Sequence, residues 1–184
     1  MEATRILMEE HRVIERVLAS LEAAANRLAA GEPMRARFFV DAAEFVKGFA
    51  DGCHHKKEEG VLFPAMEAAG VGRQGGPIGV MLAEHEEGRR LTRAMRAAAE
   101  KLHAGDTSAK DAIVQNARDY VLLLRQHIMK EDRVLFPMAD NVIQGEKQAG
   151  LAEAFERVEH EETGEGVHEK YLGLAEALER EARL

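Results

Sequence analysis

Residues 54–64 read HHKKEEGVLFP, and residues 127–137 read HIMKEDRVLFP. Seven of the eleven positions are identical. Each segment places a histidine four residues before a glutamate, His54 with Glu58 and His127 with Glu131. On a helix, residues four apart lie one turn above each other, so each pair points an imidazole and a carboxylate to the same side. The match extends upstream. His11 precedes His54 by 43 residues, and His85 precedes His127 by 42. Each of these histidines follows a glutamate, Glu10 or Glu84, and is followed by an arginine, Arg16 or Arg90. The chain therefore reads as two helical hairpins with equivalent features at equivalent places. Two such hairpins close into a bundle with a pseudo-twofold axis, and their two ligand-bearing faces converge at its centre.

The surrounding pattern is helical throughout. Alanine, leucine, glutamate and arginine dominate, all good helix formers. Residues 4–29 carry an apolar stripe through Leu7, Ile14, Val17, Leu18, Leu21 and Leu28, flanked by Ile6 and Val13, at helical spacing. Gly31-Glu32-Pro33 interrupts it. Further helices are predicted over residues 34–69, 78–103 and 109–142, and a fifth over 151–182. The glycine-rich stretch 70–77 and the Gly105-Asp106-Thr107-Ser108 turn, which offers an N-cap, separate them. Short connections imply antiparallel neighbours. The expected fold is all-α: an antiparallel up-and-down four-helix bundle over residues 1–142, with an additional C-terminal helix within 143–184 packed on it. One domain is expected over residues 1–184.

Composition narrows the function. The chain of 184 residues is long enough to bury a sizeable core. Its 46% hydrophobic and 32% charged residues are those of an ordinary folded protein. A net charge of -8 argues against a nucleic-acid partner, which would call for a basic stripe. No apolar run reaches the length of a membrane span, and Met1 to Arg12 lacks the apolar centre of a signal peptide. Cys53 is the single cysteine, which rules out an internal disulfide and a cysteine-based zinc finger and fits a reducing compartment. Cytoplasmic residence is the expectation, with no membrane partner and no inference about oligomeric state.

The chemistry lies in the eight histidines. One histidine four residues before a glutamate is common on helices and says little. Two such pairs inside near-identical segments, each preceded by a histidine at matched distance, point to a shared task. Buried imidazoles and carboxylates cost free energy unless paired or metal-bound. Four histidines and two glutamates facing one bundle core follow the design of dinuclear carboxylate sites. His160-Glu161 and His168-Glu169 lack the second histidine of a zinc-protease motif. The ferritin-like sites use a glutamate three residues before a histidine and more carboxylates. Mixed imidazole and carboxylate donors suit iron, manganese or zinc.

The pattern His11…His54-x3-Glu58…His85…His127-x3-Glu131, with Leu-Phe-Pro after each pair, resembles that of hemerythrin-like, or HHE cation-binding, domains. The resemblance covers about residues 5 to 140. It implies a four-helix bundle holding two iron ions joined by an oxo or hydroxo bridge. It also implies that His11, His54, Glu58, His85, His127 and Glu131 are the metal ligands, with the two glutamates bridging. The oxygen carriers of the family have an additional histidine on the third helix, where this chain has Arg89 four residues after His85. Their last carboxylate lies five residues after its histidine, the spacing of Asp132 here; Glu131 is preferred because it matches Glu58 in the repeat. Dedicated oxygen carriage is thereby put in doubt.

Other residues have plain structural roles open to them as well as functional ones. His55 points about 100° away from His54 on an ideal helix, and His168 lies on the fifth helix; either could be an additional metal ligand. Tyr171, three residues beyond His168, could donate a hydrogen bond from behind the ligands or itself ligate a ferric ion, or pack its ring in the core. His103 and His160 read as solvated, and Cys53 as a buried structural thiol. Phe63-Pro64 and Phe136-Pro137 are expected to wall the site and perturb the helix behind it. Met8, Met66, Met81, Met129 and Met138 read as core filling. Three functions follow: a protein binding dioxygen, nitric oxide or peroxide for sensing, storage or redox detoxification; an iron store or donor for repair of iron-sulfur centres; or an enzyme of peroxidase or nitric-oxide-reducing type. The implied partner is a small gas or peroxide.

Overall fold

A computed structural model of the chain describes residues 1–164 and 166–182, and these contain helices and turns with no strand. Helix α1 is Glu2–Ala29, α2 covers residues 36–68, and α3 is Pro77–His103. Helix α4 covers residues 110–142, α5 covers 146–163, and α6 is Val167–Ala182. Asp106 caps the turn before α4, accepting from the Ser108 backbone N–H at 3.1 Å, which satisfies a donor that a helix start leaves unpaired.

The expected bundle is present. Helix α3 packs along α2 and α4, and α4 along α1. Helices α1 and α2 have little direct contact; α6 lies in the seam between them and touches both. Tyr171, Ala175, Leu178 and Ala182 of α6 belong to the same apolar core as Leu18, Leu21, Phe39 and Phe45. Burying a side chain such as Leu178 contributes about 1.5–3 kcal/mol. The outer ion pairs Arg16–Glu179 and Arg35–Glu181 orient α6 but at an exposed surface contribute little. Gly48 on α2 permits the close approach: a Cβ there would lie 1.8 Å from the Tyr171 ring.

The C-terminal segment corrects one expectation. The single helix over 151–182 is two, α5 and α6, with Gly164 and Gly166 at φ +100° and +75° between them. That left-handed backbone suits glycine and ends a helix. Glu165, within the predicted helix, lies outside the described residues. Met129 is also corrected: it is 46% exposed and fills no core.

Two apolar cores leave a polar layer between them. Along α1, Leu7 belongs to one and Ile14 to the other, with His11 between. Along α2 the order is Phe49, His54 to Glu58, Leu62; along α4 it is Leu124, His127 to Glu131, Leu135. Helices α2 and α4 widen at this layer. The Phe63 N–H reaches back to the Glu58 carbonyl, and the Phe136 N–H to that of Glu131, each five residues, as in a π turn. Pro64 and Pro137 follow at once; each lacks an N–H and crowds the carbonyl four residues back, which the wider turn accommodates. No described helix is long and apolar enough to cross a membrane.

Candidate metal centre

Each bundle helix delivers its part of the layer. His11 comes from α1, His54 and Glu58 from α2, His85 from α3, and His127 and Glu131 from α4; none is more than 2% exposed. His55, also buried, joins them. The side chains form two groups whose donor atoms lie within 4.8 Å of one another: His11, His54, Glu58 and Glu131, and His55, Glu58, His85 and His127. The carboxylates stand between the groups. Glu58 turns Oε1 to His54 Nε2 at 3.6 Å and Oε2 to His85 Nε2 at 3.4 Å. Glu131 turns Oε2 to His11 Nε2 at 3.2 Å and Oε1 to His127 Nε2 at 3.2 Å.

Behind every imidazole stands a carboxylate. The Nδ1–H of His54 donates to Glu10 at 2.9 Å and that of His127 to Glu84 at 2.9 Å. His11 donates to Asp132 at 2.7 Å, His85 to Glu59 at 2.7 Å, and His55 to Asp51 at 2.9 Å. These bonds fix the tautomer, so each ring keeps its Nε2 lone pair for the inside. A third layer of cations holds the carboxylates: Lys57 on Glu10, Lys130 on Glu84, Arg12 on Asp132, and Arg89 on both Glu59 and Asp51. Apolar rings close the ends, with Phe136 stacked on His11 at 5.5 Å and Phe63 on His85 at 6.1 Å.

The residues present fit a metal. Both oxygens of Glu58 and of Glu131, with Nε2 of His11 and of His54, are buried and meet no hydrogen-bond partner among the described residues. His85 Nε2 and His127 Nε2 face each other at 3.0 Å, two lone pairs once both Nδ1 atoms hold their protons outward. Buried carboxylates without hydrogen bonds are costly, and a cation at their focus removes that cost. Without it, protons do so. Burial lowers the His11 pKa, but Asp132, Glu131 and Glu58 outweigh it and raise it to about 9. At His85 burial is likewise outweighed, by Glu58 and Glu59, and the pKa rises to about 10. Burial raises the Glu58 pKa, yet His54, His85 and His11 bring it down to about 2. Metal uptake must displace such protons, because ligation needs neutral imidazole.

The structure separates the remaining candidates. His55 faces the layer despite following His54, because the two rings diverge to opposite groups around Glu58. Asp132 lies outside, behind His11, and Glu131 inside, as the repeat indicates. His168 is not brought to either group; it packs on Phe49 at 5.3 Å and meets Glu10, Cys53 and Glu159. Tyr171 packs over Gly48 and edge-on to Phe45 at 6.3 Å, in the apolar core rather than behind the inward-facing histidines. His103 and His160 are exposed. Cys53 is buried, and its burial raises the thiol pKa to about 12. Sequence reasoning missed the outer carboxylates, although Glu10 and Glu84 stood in the repeat beside the histidines.

An uncharacterized protein of Mycobacterium tuberculosis and one of Mycobacterium bovis are each 29% identical to this chain over 174 residues, covering 95% of it and 68% of their own length. The iron-sulfur cluster repair protein YtfE of Musicola paradisiaca is 34% identical over 89 residues, covering 47% of this chain and 40% of that protein. No solved structure matches the chain. Residues 2–139 match the hemerythrin HHE cation-binding domain, a span that holds all seven inward-facing residues, and the chain belongs to this metal-binding family.

Proposed function

We propose that this chain is a non-haem di-iron protein that binds dioxygen or a related small ligand, nitric oxide or peroxide, for sensing, storage or redox detoxification. The observation that carries the reading is the division of the five imidazoles into a group of three and a group of two, with Glu58 shared by both groups and Glu131 reaching His127 across them at 3.2 Å. His55, His85 and His127 give one group three imidazoles; His11 and His54 give the other two. The first three would hold one iron and His11 and His54 the other, with Glu58 and Glu131 between them. The side of His11 and His54 has fewer imidazole donors, so a small ligand would bind there. Bound iron would supply redox change and Lewis acidity. The protein holds the imidazoles in one tautomer, keeps the Glu58 carboxylate charged, and excludes water with Phe63 and Phe136.

Charge supports a pair of ions. The inner and outer carboxylates are Glu58, Glu131, Glu10, Glu84, Asp132, Glu59 and Asp51, and their cations are Lys57, Lys130, Arg12 and Arg89. The negative charges exceed the positive, which favours bound cations at the centre. A structural zinc site is closed with four ligands, fewer than the donors here.

A second reading is iron storage or donation for repair of damaged iron-sulfur centres, favoured by the similarity to YtfE. Metal analysis and the optical spectrum before and after oxygen test the first reading. Two irons per chain with oxo-bridge bands that change with oxygen, nitric oxide or peroxide support it. Zinc alone, or a folded protein that takes up no metal, refutes it. His54→Ala and His127→Ala should each lower iron content sharply, while Arg125→Ala on the outer face should not. Ready release of iron to an apo-cluster protein, with no response to the small ligands, decides for donation.

A further inference from the structure

Four more ligating groups meet where α5 and α6 cover α1 and α2. Glu10, Cys53, Glu159 and His168 each place one donor atom within 4.8 Å of the other three. Cys53 and Glu10 are buried, and Glu159 and His168 are half-buried. Cys53, Glu159 and His168 line a surface cavity of about 250 Å³, with His160 and Glu169 at its edge. His168 Nδ1 is shut off from solvent and meets no hydrogen-bond partner among the described residues. The Cys53 Sγ lies 4.0 Å from Glu10 Oε1. Lys57 ties Glu10 to Glu159, so the place already attracts a cation.

We propose that Glu10, Cys53, Glu159 and His168 form a second, mononuclear site for a divalent transition metal of the zinc or ferrous type, reached from solvent through this cavity and joined to the buried centre by Glu10. The donor set decides the class of ion. A sulfur, an imidazole and two carboxylates make a four-coordinate set for a borderline-soft metal, whereas calcium and magnesium take oxygen. On binding, the thiol proton leaves to solvent and sulfur ligates as thiolate. The group then carries three negative charges against the one positive charge of Lys57, and a divalent ion neutralises the remainder. The glycines at 164 and 166 turn the chain so that α6 brings His168 back over Glu159, which α5 supplies. Glu10 couples the sites: one oxygen faces the thiol and Lys57 while the other holds His54 Nδ1 at 2.9 Å.

Cobalt tests this directly. Cys53 is the only cysteine, so a thiolate-to-cobalt charge-transfer band can arise nowhere else in the chain. Protein with its buried centre loaded with iron is titrated with Co²⁺. One additional cobalt per chain, with that band, is expected. His168→Ala and Glu159→Gln, checked for folding by circular dichroism, should each weaken cobalt binding beyond the ~10–100-fold that loss of an outer partner costs, with iron content unchanged. The proposal is overturned by no band at saturating cobalt, by a band of unchanged affinity in both variants, by cobalt taken up only as iron is lost, or by loss of iron in His168→Ala. The band reports Cys53 alone, whereas iron content reports the buried centre, so failure of this site is distinguishable from failure of the proposed di-iron centre.

Discussion

Glu84 and Glu10 occupy equivalent places in the two hairpins, and their conversion to glutamine separates metal affinity from folding. One oxygen of Glu84 accepts from His127 Nδ1 at 2.9 Å, and the other from Lys130. Glu84→Gln keeps the shape but removes the charge and turns one acceptor into a donor. The remaining oxygen serves His127 or Lys130, not both. Lys130 is 34% exposed and can turn to water, so the metal-free fold should change by no more than about 1 kcal/mol. His127 loses the charged partner that fixes its tautomer and raises its basicity, so metal affinity should fall about 10–100-fold, or roughly 1.4–2.7 kcal/mol. Glu10 serves His54 and Lys57 in the same way, but Lys57 is fully buried. Removing one partner of a buried pair costs about 3–5 kcal/mol. Glu159, 35% exposed, still faces Lys57 and offsets part of this, so Glu10→Gln should destabilise the metal-free chain by about 2–4 kcal/mol and lower affinity as well. Chelator competition reads the affinity, and urea unfolding of the metal-free protein reads the stability. Wild-type affinity in Glu84→Gln would refute the role given to the outer carboxylates. Equal loss of stability in both variants would refute the argument from burial.

Three further changes probe the layer and its support. His55→Ala removes an imidazole from the three-histidine group only; iron per chain, by elemental analysis, should fall from two toward one, and full retention would place His55 among the bystanders. Ile128→His together with Leu124→Asp puts an imidazole and its carboxylate at the positions His55 and Asp51 hold in the other hairpin; iron content should hold while the spectral response to oxygen, nitric oxide and peroxide is lost, and an undiminished response would show that the small ligand binds elsewhere. Gly48→Ala drives a methyl into Tyr171 and should cost about 1–3 kcal/mol in urea unfolding; added to Tyr171→Ala it should cost much less, and simple additivity would mean that α6 does not seat on Gly48.

How much of this could be read from the residues follows from the kind of information each feature needs. The four bundle helices and six of the seven inward-facing residues rest on spacing within one helix and on the duplication, both written along the chain. His55 does not, because an ideal helix sends consecutive side chains apart, and that divergence is useful only when two groups flank a shared Glu58. The outer carboxylates depend on which partner helix each side chain reaches. Glu10 serves His54 and not its neighbour His11; Asp132 serves His11 and not its neighbour Glu131. That crossed arrangement is set by helix packing, although the paired Glu10-His11 and Glu84-His85, and Lys57-Glu58 and Lys130-Glu131, carried a trace of it. The break between α5 and α6 had a local signal in Gly164 and Gly166, overridden by the apolar periodicity on either side.

The duplication also explains why the site is unequal. Most of the centre obeys the pseudo-twofold relation: His54 with His127, Glu58 with Glu131, Glu10 with Glu84, Lys57 with Lys130, and Phe63 with Phe136. Among the inward-facing residues and the carboxylates behind them, the relation fails at two positions one turn apart. His55 corresponds to Ile128, and Asp51, which holds His55, corresponds to Leu124. One hairpin thus carries an imidazole with its carboxylate, and the other carries two buried aliphatic side chains in the apolar core. The support fails with them: Arg89, four residues after His85, holds Asp51, whereas Glu15 stands four residues after His11 and could not. An imidazole at Ile128 would lack both its carboxylate and its cation, so the three differences agree with one another. On the proposed reading of two metals, the symmetric part of the design would hold the pair, and this one coordinated departure would give them different surroundings, with an aliphatic side chain in place of a donor on the side of His11 and His54.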